Sequence, residues 1–203
     1  MKKLTAIRSV AFAAAATLAM AASAQNNVEL GNPEFLGDGC LPGSASAVLS
    51  NDRQSLSILF SGYSTEAGYT TGKQFDRKAC NMAIPVRVPQ GISVSIFSVD
   101  YRGYNNLPRG AFSDFNVEYF FAGSRGPSFR RRFTGPINDD YIITNDLIGT
   151  AVTWSPCGRE VILRANTSIR VTTNSRRDQA MATVDSTDVS AALIYRLQWR
   201  RCN

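Results

Sequence analysis

The sequence contains no histidine. That absence removes Ser-His-Asp and Cys-His nucleophilic catalysis, imidazole acid/base work and nearly all catalytic zinc sites. An enzyme made from this chain would have to use carboxylates, lysine or tyrosine. Lysine is itself scarce. Beyond residue 24 only Lys73 and Lys78 occur, and the other basic residues are arginines. No CxxC pair is present, which argues against a thioredoxin-like redox motif or a zinc knuckle. After residue 24 no apolar run reaches the roughly 20 residues that cross a bilayer, so no membrane span is expected. Helical periodicity is nearly absent after Gln25, and no linker or internal repeat divides the chain.

What is present begins with an export signal. Lys2, Lys3 and Arg8 form a positive start, Ser9 to Met20 is a short Ala-rich apolar run, and Ala22-Ser23-Ala24 fits small-x-small cleavage. The expectation is a signal peptide over 1–24, cut after Ala24, and a secreted or periplasmic product. Residues 25–36 are expected to be loosely attached, and 37–203 to form a single domain, for which the length suffices. The formal net charge is +6; three of the positive charges, on Lys2, Lys3 and Arg8, lie in the leader, which leaves +3 beyond it. So mild a balance does not support nucleic-acid binding.

Cys40, Cys80, Cys157 and Cys202 are even in number and widely spaced. In an exported protein they read as two disulfides. Three connectivities are possible; Cys40–Cys80 with Cys157–Cys202 is favoured because each closes a loop within one half of the chain.

Period-2 alternation is the dominant pattern. It runs through Leu56, Ile58 and Phe60; Ile84, Val86 and Val88; Ile92, Val94 and Ile96; Phe115, Val117, Tyr119 and Phe121; Val161, Leu163 and Ala165, continued by Ile169 and Val171; and Leu193, Tyr195, Leu197 and Trp199. Polar residues hold most of the alternate positions, as half-buried antiparallel strands require. Turn-forming clusters at 51–53, 107–110, 155–158 and 174–177 separate the runs. The expected fold is all-β, an antiparallel, jelly-roll-like β-sandwich with little helix. Pro85 and Pro89 suggest that their strand is a sheet edge. Residues 62–78, with Tyr63 and Tyr69, read as a long irregular loop suited to binding.

Seven segments in order carry a family resemblance: Gly39-Cys40-Leu41-Pro42-Gly43-Ser44, Arg77-Lys78-Ala79-Cys80-Asn81-Met82, Asp100-Tyr101-Arg102-Gly103-Tyr104, Phe133-Thr134-Gly135-Pro136, Trp154-Ser155-Pro156-Cys157-Gly158, Val184-Asp185-Ser186-Thr187-Asp188 and Leu197-Gln198-Trp199-Arg200-Arg201-Cys202. Together they resemble a secreted family known as domain of unknown function 4360. The resemblance implies export, a β-rich domain and paired cysteines. It implies no activity and transfers no catalytic residue.

Four constellations are candidates for chemistry. Tyr101, Arg102, Tyr104 and Trp154 could form a stacking platform for sugars if Gly103 makes a turn that exposes both tyrosines. Asp139, Asp140 and Asp146 offer hard oxygen ligands for calcium; no other cofactor is expected. Glu118, on a polar strand face, could belong to a groove and to a carboxylate pair of a glycosidase. Arg130, Arg132, Arg164, Arg170, Arg196 and Arg200 share strand faces in pairs and could make a basic stripe, while Arg131 has the parity to stack on Phe129 and Phe133. The reading that fits best is a non-enzymatic binding or surface-associated protein whose partner is a glycan or cell-envelope component. A carboxylate-dependent carbohydrate-active enzyme and a structural envelope protein or inhibitor remain open.

Overall fold

A computed structural model of the chain describes residues 28–147, 152–184 and 191–202. The expected signal peptide lies outside these residues. Among them are thirteen strands and no helix. In chain order the strands are β1 (Glu29–Leu30), β2 (Glu34–Leu36), β3 (Ala45–Leu49), β4 (Ser55–Phe60), β5 (Ser64–Ala67), β6 (Phe75–Arg87), β7 (Ile92–Leu107), β8 (Phe112–Phe121), β9 (Ser128–Thr134), β10 (Ile137–Asp146), β11 (Val161–Thr172), β12 (Ala180–Thr183) and β13 (Leu193–Arg201).

They form two antiparallel sheets. Sheet A has the order β1-β6-β11-β8-β9, with β2 also on β6. Sheet B runs β3-β4-β13-β7-β12-β5, with β10 on the other side of β7. The sheets face each other across one apolar core, so the expected β-sandwich is what the chain builds. Alternation drives this packing: in β8 Phe115, Val117, Tyr119 and Phe121 point inward, and in β11 Val161, Leu163, Ala165, Ile169 and Val171 do. Aromatic pairs join the sheets. Tyr101 of sheet B stacks on Phe129 of sheet A at 5.4 Å and meets Phe115 edge-on at 5.2 Å, and Tyr119 meets Tyr195 at 6.1 Å. Such pairs are worth about 0.5–1.5 kcal/mol each beyond the area they bury.

The disulfides are Cys40–Cys80 and Cys157–Cys202, the favoured pairing. The first is buried in the core, where Thr167 Oγ1 donates to the Cys80 carbonyl and shares a hydrogen bond with the Tyr63 hydroxyl. The second ties the loop before β11 to the chain end after β13.

Three expectations need correction. Residues 28–36 are attached, because β1 and β2 pair with β6 and Val28 is buried. For the same reason β6 is not an edge. Pro85 does leave its mark: the gap between β1 and β2 falls opposite it, where a proline without an N–H has only its carbonyl to offer, and that carbonyl accepts from the Gly31 amide at 2.8 Å. Residues 62–78 are not an irregular loop. They hold β5, a tight turn closed by the Gly68–Lys73 bridge, and the start of β6.

Candidate functional site

The outward positions of β6, β11, β8 and β9 lie in register and make rows across sheet A. One row is Asn81–Asn166–Glu118–Ser128. The next is Ala79–Ser168–Asn116–Arg130, and the third is Arg77–Arg170–Asp114–Arg132. A fourth, Phe75–Thr172–Phe112–Thr134, closes one end, and Arg164 with Phe120 lies at the other. Small side chains in the first two rows, between larger ones on either side, leave an open trough of about 710 Å³. It crosses four strands, a length of about 14 Å at the usual strand spacing.

The lining is dense in groups that both donate and accept hydrogen bonds. Asn81, Asn116 and Asn166 are amides, Ser128 and Ser168 carry hydroxyls, and Glu118 accepts. Their partners on one side are fixed. Arg132 donates from Nε and Nη2 to the two carboxylate oxygens of Asp114, at 2.7 and 2.8 Å, and this hydrogen bond together with the charge of Asp114 raises the arginine pKa. Arg130 Nε donates to Asn116 Oδ1 at 2.6 Å. Two guanidiniums lie over aromatic rings, Arg132 on Phe112 at 4.5 Å and Arg170 on Phe75 at 4.4 Å. These contacts hold long side chains in place, so less freedom is lost when a ligand binds.

The expected aromatic platform is not assembled. Tyr101 points into the core and is fully buried. The cause is a register shift in β7: Leu197 pairs with Ile96 but Arg196 with Ser98, so Phe97 is an extra residue. Such a bulge switches which parity faces inward. Val94 and Ile96 are inward before it, Val99 and Tyr101 after it. Gly103 makes no turn. It lies within β7, where a Cβ would come within 2.2 Å of the Thr183 carbonyl oxygen and 2.5 Å of the Tyr141 hydroxyl. Arg102 and Tyr104 do face out, on sheet B, where the Tyr104 hydroxyl donates to Asn138 Oδ1. Trp154 is remote from them, bridging to Ser95, with Arg200 stacked on its ring at 4.2 Å.

Nor do the three aspartates converge. Asp139 and Asp140 are neighbours on β10 and point to opposite faces, and Asp146 is six residues further on, about 20 Å along an extended strand. Asp146 accepts from Ser98 Oγ at 2.8 Å. Among the described residues no group of three or more acidic or cysteine side chains could hold a metal ion. The basic residues separate likewise. Arg130, Arg132, Arg164 and Arg170 share the outer face of sheet A, whereas Arg196 is on sheet B and pairs with the buried Asp100 at 2.8 Å. Arg131 lies over Phe133 at 5.9 Å. Glu118, expected in a groove, lines the trough. Alternation alone does not single out the amides, although Asn116 and Asn166 occupy the polar positions of two clear alternating runs.

A family profile described as "Domain of unknown function (DUF4360)" matches residues 26–202. The chain belongs to the DUF4360 family. A relative from Arthroderma benhamiae, described as an uncharacterized secreted protein, is 36% identical over 167 residues, which cover 82% of this chain and 68% of the relative. That description agrees with the export expected from the N-terminus. Among solved structures, TmCBM61 in complex with β-1,4-galactotriose matches with a TM-score of 0.31 and 11% identity, covering 84% of this chain and 88% of the other. A likeness this distant transfers no site to the DUF4360 chain.

Proposed function

We propose that this DUF4360 protein is an exported, non-enzymatic glycan-binding protein and that the trough on sheet A is its binding face. The observation that carries the reading is the pair of register rows Asn81–Asn166–Glu118–Ser128 and Ala79–Ser168–Asn116–Arg130. They place amides, hydroxyls and one carboxylate on a rigid, water-facing surface. Sugar hydroxyls both donate and accept, and amides answer both needs from fixed positions. An open trough crossing four strands suits a chain better than a compact metabolite, which would be enclosed.

Catalysis is disfavoured by spacing. Glu118 is the carboxylate in the lining of the trough; Asp114 is four residues away on β8, about 13 Å, and Glu34, which faces out on β2, is three strand spacings away, about 14 Å. Glycosidases hold their pair at roughly 5–9.5 Å. Asp114 is also occupied by Arg132.

A glycan array probed with the protein, followed by titration of any positive ligand, tests the reading. Asn116→Ala with Asn166→Ala is expected to weaken binding by about tenfold or more while leaving the melting temperature nearly unchanged, since each amide supplies hydrogen bonds to the ligand and none to the core. Absence of binding across neutral and acidic glycans would overturn it and favour a structural role. Release of new reducing ends from a bound glycan would point to an enzyme instead.

A further inference from the structure

We infer that the glycan is acidic, and that Arg77 and Arg170 together grip one of its carboxylate or sulfate groups at the rim of the trough. The inference rests on the reading of the trough as a glycan site and adds the chemical class of the ligand.

Arg77 and Arg170 are direct cross-strand partners on β6 and β11. Like charges in that relation destabilise a sheet unless something compensates them. The carboxylate in the same row is Asp114, and Arg132 holds both of its oxygens. Neither Arg77 nor Arg170 forms an ion pair among the described residues. The row therefore sets three guanidiniums against one carboxylate.

Arginines on strands commonly protect sheet edges from pairing. That role does not account for Arg170. Its strand, β11, is flanked by β6 on one side and β8 on the other. The Arg170 guanidinium is also held over the Phe75 ring at 4.4 Å, which covers one face and leaves its in-plane N–H groups for an oxyanion. Two adjacent guanidiniums, one of them held over Phe75 and neither in an ion pair among the described residues, form an anion site.

The test titrates the protein with three polymers of similar length: a polyuronate, a sulfated glycosaminoglycan and an uncharged glucan. Each is repeated with Arg77→Gln/Arg170→Gln and with Arg201→Gln, a surface charge loss on sheet B. At least one acidic polymer is expected to bind more tightly than the glucan, with affinity falling as salt rises. The double variant is expected to lose about tenfold or more for the acidic polymer, in keeping with lost charge-assisted hydrogen bonds. Arg201→Gln and the affinity for glucan should change little. The uronate and sulfate arms identify which group is gripped. Equal binding of acidic and neutral polymers through the trough overturns this inference and leaves the glycan reading intact. Acid preference that survives the double variant, or is lost equally in Arg201→Gln, overturns it as well. Failure of all three polymers removes both.

Discussion

Arg132 and Asp114 meet through two parallel hydrogen bonds, at 2.7 and 2.8 Å, across the β8–β9 pair at the margin of the trough. The pair neutralises the one acidic position in a row that otherwise carries Arg77 and Arg170. Asp114→Asn would free the Arg132 guanidinium and add one unit of positive charge to the face. The expected result is tighter binding of an acidic polysaccharide with a steeper salt dependence, measured by titration at two ionic strengths. A modest fall in melting temperature should accompany it, because the pair is bidentate and the Asp114 side chain is only 16% exposed. Weaker binding would mean that Asp114 is needed to aim Arg132 at the ligand.

Much of the fold is legible in the sequence because alternation and burial have the same period. The runs through Leu56, Ile84, Ile92, Phe115, Val161 and Leu193 all become strands. β9 and β10 are harder to read: edge strands carry Arg130, Arg131 and Arg132 or Asp139 and Asp140 where a buried strand would be apolar. The trough is invisible for a different reason. Asn116 and Asn166 are 50 positions apart in sequence and become neighbours only through the strand order β11-β8, which alternation does not encode. Tyr101 misleads because a one-residue bulge at Phe97 reverses the inward parity midway along β7.

The two disulfides should differ in accessibility. Their loops are similar, with sequence separations of 40 and 45, so the chain-entropy contribution is about 4 kcal/mol for each. Their surroundings are not alike. Cys40 and Cys80 are 1% and 0% exposed, whereas Cys157 lies at the surface. Mild reduction followed by alkylation and mass spectrometry should label Cys157 and Cys202 first. Cys40→Ala/Cys80→Ala should be the more destabilising double variant, since it also removes two buried sulfur atoms from the core.

Two buried tyrosines should answer hydroxyl removal in opposite ways. The Tyr63 hydroxyl shares a hydrogen bond of 3.1 Å with Thr167 Oγ1, both residues being buried. The Tyr195 hydroxyl is buried with no partner among the described residues. Losing a satisfied buried hydrogen bond costs about 0.5–1.5 kcal/mol, whereas removing an unsatisfied hydroxyl relieves a desolvation penalty. Tyr63→Phe should therefore lower the denaturant midpoint, and Tyr195→Phe should leave it unchanged or raise it. A loss for Tyr195→Phe as large as that for Tyr63→Phe would show that a buried water satisfies the Tyr195 hydroxyl.

Alkaline pH should unfold the protein through its core. Burial pushes the phenol of Tyr119 up to about 12, and it raises Tyr63, Tyr101, Tyr141 and Tyr195 as well. An unfolded tyrosine loses its proton near pH 10. Because the native state keeps these protons longer, their contribution is complete below the unfolded value and is lost as pH rises from there toward the native values. With no histidine in the chain, no imidazole adds a transition near neutrality. Denaturant midpoints measured from about pH 8 to 11 should be flat at first and then fall, since the unfolded state sheds protons the native state retains. Phenolate absorbance of the buried set should appear together with loss of the β-sheet signal rather than before it. Tyr195→Phe removes one of these protons and should make the fall shallower; an unchanged slope would mean that Tyr195 ionises in the folded protein.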